Sequence, residues 1–389
     1  MDPACGDELI LFMSNGLSLT RWRAIGLQSR EILLYREFLR RGLFKRVTVL
    51  SYDPADHDEL HRLRSVDPLF SRLKVITPPA SRGRLEGVAG LIWSLRTVWA
   101  ERDRLRSAAW LKTNQMSGAW AAVLAARLTG RPLLVRLGYV LSERFARQQQ
   151  PVRAATARLL EQVAYATATR IVATSAEAVL HIRRRPAATH KVSLLPTYVD
   201  VGLFSPKTAY DFDAPVVTVG RLEPVKNYVN LALACRKLGR ELHIYGAGSQ
   251  ESELRALAAE PGSPVILKGL LANEELAVQL RAYSIFALTS RYEGLPKALI
   301  EAMALGLVCV GTDVRGINEL ISDGDTGYLS PSTEVADIAQ ALARAIAERN
   351  TAVGRRARAK IESGFSLERY VAGEAAIFGA PLRSPAPAL

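Results

Sequence analysis

Cysteine is scarce in this 389-residue chain: Cys5, Cys235 and Cys309 stand at no paired spacing. Two of the three lie in apolar segments, which fits reduced, buried thiols rather than a disulfide framework or a thiolate metal site. Long hydrophobic runs are missing too. No 18 consecutive residues are apolar and uncharged, so no segment reads as a membrane-spanning helix. The opening Met1-Asp2-Pro3-Ala4-Cys5-Gly6-Asp7-Glu8 lacks the basic start and apolar core of a secretory leader, and the expectation is a cytoplasmic protein. Histidine numbers five, and only His57 and His61 share a helix-face spacing. The acidic residue between them is misplaced for His-Glu-x-x-His, the surroundings are polar, and no third ligand is evident, so no metal site is expected there.

What is present bounds the class. The length predicts two domains, each able to bury its own core. With 49% hydrophobic and 23% charged residues, disordered and fibrous chains are excluded. The net charge of +13 is unevenly placed: residues 1–200 hold 31 Lys+Arg against 17 Asp+Glu, net +14, and residues 201–389 hold 20 against 21, net −1. A basic first half beside a neutral second half implies an anionic partner for the first alone, whether a membrane surface, a phosphorylated acceptor or nucleic acid.

The first 200 residues alternate apolar strands with helical stretches. Strands are expected at 8–14, 47–52, 73–77, 109–113, 133–137, 171–174 and 192–195, with alanine-rich helix over 117–128 and a Thr174-x-x-Glu177 capping box opening another. This predicts a doubly wound parallel sheet, whose ligands sit beyond the carboxyl ends of its strands. Asn15-Gly16-Leu17-Ser18 follows the first strand, without the Gly-x-Gly-x-x-Gly of a dinucleotide fingerprint. Asn114, Arg136 and Tyr139 follow two others, so Gly16, Asn114, Arg136 and Tyr139 are the expected rim of a site in this half. Residues 87–106 mix Val88, Leu91, Ile92, Trp93, Leu95, Val98 and Trp99 with four arginines. They read as an amphipathic helix packed on the sheet, with an interfacial helix dipping Trp93 and Trp99 into lipid as the alternative.

Residues 196–206, bounded by Pro196 and Pro206, form a hinge candidate. A second alternating unit follows. Val216-Val217-Thr218-Val219 runs into Gly220-Arg221-Leu222-Glu223-Pro224-Val225-Lys226-Asn227, which sets two cations five residues apart before a helix, a pattern suited to a diphosphate. Glycine turns at Gly246 and Gly269 end two further strands, and Asn273 is the expected N-cap of the next helix. Residues 285–289 then lead into Ser290-Arg291-Tyr292-Glu293-Gly294-Leu295-Pro296-Lys297, where Pro296 suits a first helical turn. The helix that follows carries Glu301 within an almost wholly apolar body and ends at Gly306. Carboxylates bracketing a helix N-terminus suit a ligand that has both phosphate and hydroxyls, such as a nucleotide sugar.

Glu293-Gly294-Leu295-Pro296, the Glu301-Ala302-Met303-Ala304-x-Gly306 finish, the strand 308–312 and the Gly220-Arg221-Leu222-x-x-x-Lys226-Asn227 element resemble the Glu-x7-Glu signature of retaining glycosyltransferases of family 4. The resemblance is specific over about residues 214–365 and loose in the first half. It implies the GT-B fold: two Rossmann-like α/β domains facing across a cleft, 1–197 binding the acceptor and 198–365 the nucleotide sugar, with a tail helix within 366–389 crossing back. It implies that Arg221 and Lys226 stabilise the departing diphosphate, that Glu293 lies near the anomeric carbon and holds sugar hydroxyls, and that Glu301 binds the ribose. Gly246, Gly269 and the backbone of Gly294, Leu295, Pro296 and Lys297 would complete the donor site. Arg221, Lys226 and Glu293 are the expected catalytic residues. The histidine many family members carry after the fourth strand has no counterpart here, and Arg136 or Tyr139 is expected to fill its space.

The expected protein is therefore a retaining, metal-independent glycosyltransferase with no cofactor beyond its nucleotide diphosphate-sugar donor. It is expected to be peripheral at the inner face of a membrane, to take a lipid-linked or cell-envelope saccharide acceptor through its basic half, and to bind no nucleic acid. Two readings compete. One is another GT-B enzyme such as a sugar-nucleotide epimerase, whose usual carboxylate and histidine set is not found. The other is a non-enzymatic nucleotide-sugar sensor whose basic half binds nucleic acid or membrane.

Overall fold

A computed structural model describes residues 7–379; Cys5 and the proline-bearing C-terminal end lie outside the described residues. Contacts divide the chain into two compact units, one of 197–369 and one made of the residues before it together with those from Tyr370 onward.

The first unit is built on seven strands: β1 (Glu8–Phe12), β2 (Arg46–Leu50), β3 (Leu73–Ile76), β4 (Trp110–Thr113), β5 (Leu133–Leu137), β6 (Arg170–Ala173) and β7 (Val192–Leu194). They pair in parallel in the order β3-β2-β1-β4-β5-β6-β7. Runs such as Leu9-Ile10-Leu11-Phe12 are buried on both faces, as a sheet covered by helices on each side requires. The chain reverses direction across the sheet between β1 and β4, so the loops after these two strands flank a crevice. Gly16 lies in one and Asn114 begins the other.

The second unit repeats the arrangement with β8 (Val216–Val219), β9 (Leu242–Tyr245), β10 (Val265–Gly269), β11 (Ile285–Leu288), β12 (Val308–Thr312) and β13 (Tyr328–Ser330), ordered β10-β9-β8-β11-β12-β13 and again parallel. Its reversal falls between β8 and β11. One core layer gathers Phe286, Leu288, Leu299, Met303 and Cys309, the other Val216, Leu231, Ile244, Ile285 and Leu342. Cys235 and Cys309 are free and buried, and burial pushes both thiols up, Cys235 to about 12.

Two local expectations, both of helix caps, are corrected. Ser175, not Thr174, caps the helix Ala176–Arg183, accepting from the Ala178 N–H, while the Thr174 hydroxyl donates to the Gly138 carbonyl. Asn273 is the first residue of its helix rather than the cap. In the helix Ala119–Thr129 the packed face is the alanines, which allow close approach, and Trp120 is turned outward.

The helix Leu367–Phe378 belongs to the first unit from Tyr370 on. There Glu374, fully buried, receives the Lys112 ammonium, itself fully buried, and the Tyr370 hydroxyl at 2.9 Å. The Lys112 Nζ stands 5.3 Å from the ring centres of both Tyr35 and Phe38. Arg136 Nε donates to the Tyr370 hydroxyl at 2.9 Å. Arg136, expected on an open rim, is thus buried in a network that holds the returning helix. Its place in β5 points it at the helix rather than at a loop.

A buried charge stripped of its partner is costly, whereas a pair replaced by apolar groups is not. Glu374→Ala is therefore expected to destabilise the first unit by about 3–5 kcal/mol, and Lys112→Met combined with Glu374→Leu to recover most of that loss. Urea denaturation followed by circular dichroism measures both; equal losses in the single and double variants would show that the two charges are not coupled.

Candidate active site

β8 is a run of β-branched residues that ends at Gly220. A Cβ there would sit 2.8 Å from the Tyr228 hydroxyl, so a larger residue would have to displace that side chain. The chain then turns through Pro224–Lys226 and takes a left-handed conformation at Asn227 (φ 59°), which carries it into the helix Tyr228–Lys237. Next to it, β11 leads into the loop 289–296. The two loops lie at the ends of neighbouring strands on either side of the chain reversal, and four contacts join them or brace them. Arg291 N–H donates to the Val225 carbonyl (2.8 Å) and the Arg291 guanidinium to Asn227 Oδ1 (3.4 Å). Lys226 Nζ meets Glu293 Oε1 at 2.5 Å, and the Thr312 hydroxyl holds the Ser290 carbonyl at 2.6 Å.

Glu293 is the centre of this arrangement. Its Oε1 accepts from Lys226 and, at 2.6 Å, from the Ser290 hydroxyl, while Oε2 receives neither. The pair is largely shielded from water without being sealed off, so it can face a ligand. Gly316 packs beneath the loop: a Cβ on it would come within 2.3 Å of the Gly294 carbonyl, and its φ is 82°. Pro296 serves as N-cap of the helix Lys297–Ala304, one residue earlier than expected, and no side chain caps that terminus. Its first N–H groups are directed out of the helix at the loop bearing Glu293. Glu301, at 5% exposure, is buried on this helix, and Gly306 (φ 77°) closes it.

The remaining donor-side candidates separate. Arg221 is 69% exposed and turns to Glu223 (2.8 Å), so the structure brings Lys226 but not Arg221 into contact with Glu293. Gly246, with φ 150°, donates its N–H to the Gly269 carbonyl (2.8 Å) and lies so close to Gly220 that a Cβ would be 1.9 Å from the Gly220 carbonyl oxygen. Gly269 also needs a positive φ (73°) but faces open space. Leu295 packs on the core and Lys297 opens the helix.

Sequence reasoning missed Tyr228. Only 1% exposed, it has a hydroxyl without a hydrogen-bond partner, aimed at Gly220 beside Lys226. Burial raises its phenol well above the usual range, the Glu293 carboxylate raises it further, and Arg221 opposes both. The available signal was a hydroxyl-bearing aromatic directly after Lys226-Asn227, where an aliphatic residue would fill the core as well.

In the first unit, Gly16 (φ 81°) and Asn114, which is buried, sit at the chain reversal. Tyr139 is exposed, with the Arg144 guanidinium donating to its hydroxyl at 2.9 Å and stacked 5.0 Å from its ring centre.

Two Rossmann-like α/β halves, one with a carboxylate, an ammonium and an uncapped helix terminus at its switch point, define the GT-B class. Residues 206–361 match the family model described as Glycosyl transferases group 1, so the second unit contains a glycosyltransferase group 1 domain. Over 346 residues the chain is 28% identical to the alpha-D-kanosaminyltransferase of Streptomyces kanamyceticus, covering 80% of this chain and 88% of that protein. It is 34% identical over 142 residues to the amylovoran biosynthesis glycosyltransferase AmsK of Erwinia amylovora, 33% of this chain and 35% of that protein. The crystal structure of Anabaena HepE in complex with UDP and glucose superposes with a TM-score of 0.71 at 17% identity, over 96% of this chain and all of that one.

The two glycines at β9 and β10 should respond differently to the same methyl group. Gly269→Ala meets only the left-handed penalty, about 1 kcal/mol, whereas Gly246→Ala drives a Cβ into backbone and is expected to cost more than about 3 kcal/mol. Thermal denaturation of the two variants distinguishes them, and similar losses would contradict the close approach.

Proposed function

We propose that the protein is a retaining, metal-independent glycosyltransferase that moves a sugar from a nucleotide diphosphate-sugar to a saccharide hydroxyl. The carrying observation is Glu293, gripped on Oε1 by Lys226 and Ser290 with Oε2 left for hydroxyls, at the switch point of a sheet whose sequence matches a glycosyltransferase domain. The nucleotide sugar lies over the second unit. Glu293 Oε2 accepts from sugar hydroxyls near the anomeric carbon, and Glu301 accepts from the ribose.

The bond from the anomeric carbon to the diphosphate breaks with its electron pair leaving on the phosphate oxygen, and the acceptor oxygen bonds to the same face as its hydroxyl proton passes to that departing phosphate oxygen. Negative charge grows on the leaving diphosphate, so donors fixed beforehand stabilise the transition state more than the ground state. Lys226 has three N–H donors and can keep Glu293 while meeting a phosphate oxygen. Arg221, exposed and held among the described residues by Glu223, can swing onto the same group. With two cations and the N–H groups of residues 297 and 298 on the leaving group, a divalent ion is dispensable. The Tyr228 hydroxyl supplies one more donor to this corner.

The acceptor is read as a saccharide because relatives such as the amylovoran biosynthesis glycosyltransferase are named for the building of a polysaccharide. Gly16 and Asn114, at the first sheet's switch point, are its proposed contacts, with Tyr139 beside them.

Release of nucleoside diphosphate from a panel of donor sugars tests this reading. One donor is expected to be cleaved slowly without acceptor and in the presence of EDTA. Glu293→Gln should reduce turnover about 100-fold or more, and Arg221→Ala by a comparable factor. Tyr228→Phe should fold normally and weaken inhibition by the nucleoside diphosphate. Silence with every donor would refute the assignment, and an inverted product anomer by NMR would refute retention.

A further inference from the structure

We propose that the outer face of the helix Gly87–Ala100 is a docking surface for an anionic bilayer. The helix divides cleanly. Trp93, Ser94 and Val98 are buried, with Trp93 set edge-on against Tyr52 at 5.3 Å between ring centres. The expectation that Trp93 reaches lipid is therefore overturned, and the expectation that the helix packs on its own unit holds for that side. On the opposite side Val88, Ile92 and Trp99 are 73%, 49% and 58% exposed. They follow an i, i+4, i+11 spacing, which aligns them along one stripe.

Scattered exposed aliphatics are ordinary on protein surfaces and need no explanation. These three are not scattered, and arginines flank them. Arg96 falls on the same stripe, exposed, with no hydrogen bond or ion pair among the described residues. Arg82 lies exposed just before the helix beside Arg84, which pairs with Glu86, and just after it the Arg102 guanidinium stands 5.3 Å from the centre of the Trp99 ring and 3.9 Å from the Asp103 carboxylate. The neighbouring helix Ala119–Thr129 packs against this one and turns Trp120 outward as well.

The occupant follows from the combination. Aliphatic and indole side chains reach the headgroup boundary, where burial of about 5–10 Å suffices, while arginines meet lipid phosphates. The charge of the first 200 residues, net +14 from 31 basic and 17 acidic residues, is complementary to that surface. A nucleic acid would use the arginines but has no place for Val88 and Ile92. A second copy of the chain would need about 800 Å² per partner, far more than one stripe of three side chains offers. Among the described residues no helix is long and apolar enough to cross a membrane, so attachment of this kind would be peripheral.

The test uses the full chain and no sugar donor, so its result stands apart from the transferase reading. Flotation is compared on phosphatidylcholine vesicles with and without phosphatidylglycerol, and Trp99 burial is followed by quenching with brominated lipid. The wild-type protein should float with the anionic vesicles. Ile92→Glu combined with Trp99→Glu should lower that binding about tenfold or more, and Arg96→Glu should lower it on anionic vesicles only. Thermal denaturation confirms that the variants fold. The proposal fails if the wild-type protein stays in the soluble fraction, or if the double variant floats equally well. It also fails if double-stranded DNA at matched salt displaces the vesicles, or if sedimentation shows a dimer that the double variant abolishes.

Discussion

The contact between Lys226 and Glu293 ties the chemistry of the second unit to its topology. A parallel sheet opens a crevice where its chain direction reverses, and here the reversal separates β8 from β11, strands about seventy residues apart in sequence. Their loops would splay without a brace. Lys226 reaches from one, Ser290 and Glu293 from the other, and the Arg291 N–H donating to Val225 adds a backbone tie. The glycines around them follow from this closeness. Gly246 and Gly316 each lie where a Cβ would strike a neighbouring group, so the loops approach to a distance that only unsubstituted backbone allows. The price of that approach is an ion pair held partly out of water.

The first unit solves a different problem. Its basic composition is a surface property, yet the charges that shape its structure are interior: Lys112, Glu374, Tyr370 and Arg136 form one chain of polar contacts. Such a network specifies which helix packs there, because an apolar helix would leave Lys112 without its carboxylate and Arg136 without the Tyr370 hydroxyl. The final helix is therefore recognised by charge as well as by the packing of Phe378 against Phe44 and Trp110.

The sequence made the strands legible, since each of the first twelve is a short apolar run bounded by turns, and most errors were one or two residues at an end. The thirteenth escaped notice because three residues, Tyr328–Ser330, carry no period. Glu293 and Lys226 could be read because their meaning lies in local order along the chain. Arg136 could not, because the group that claims it is Tyr370, 234 residues away, and a strand-end arginine looks the same whether it faces a ligand or a helix. Tyr228 escaped for a related reason: its ring belongs to the core and only its hydroxyl belongs to the site, and periodicity reports the ring.

The same limit explains the helix Gly87–Ala100. Its sequence reads as a packed helix with an interfacial one as the alternative, because both need apolar residues at helical spacing. Trp93 and Trp99 are six residues apart, about 600° around the axis, which places them on different sides; one cannot be buried in the protein together with the other. The structure shows which side packs: Trp93 is buried and Trp99 is exposed. Trp93 packs onto Tyr52 and fixes the helix to its unit, and that anchoring is what holds Val88, Ile92 and Trp99 outward in a constant line. A helix free to rotate would bury more of its large apolar side chains. The stripe of Val88, Ile92 and Trp99 beside Arg96, which has no partner among the described residues, persists because the opposite face is already committed.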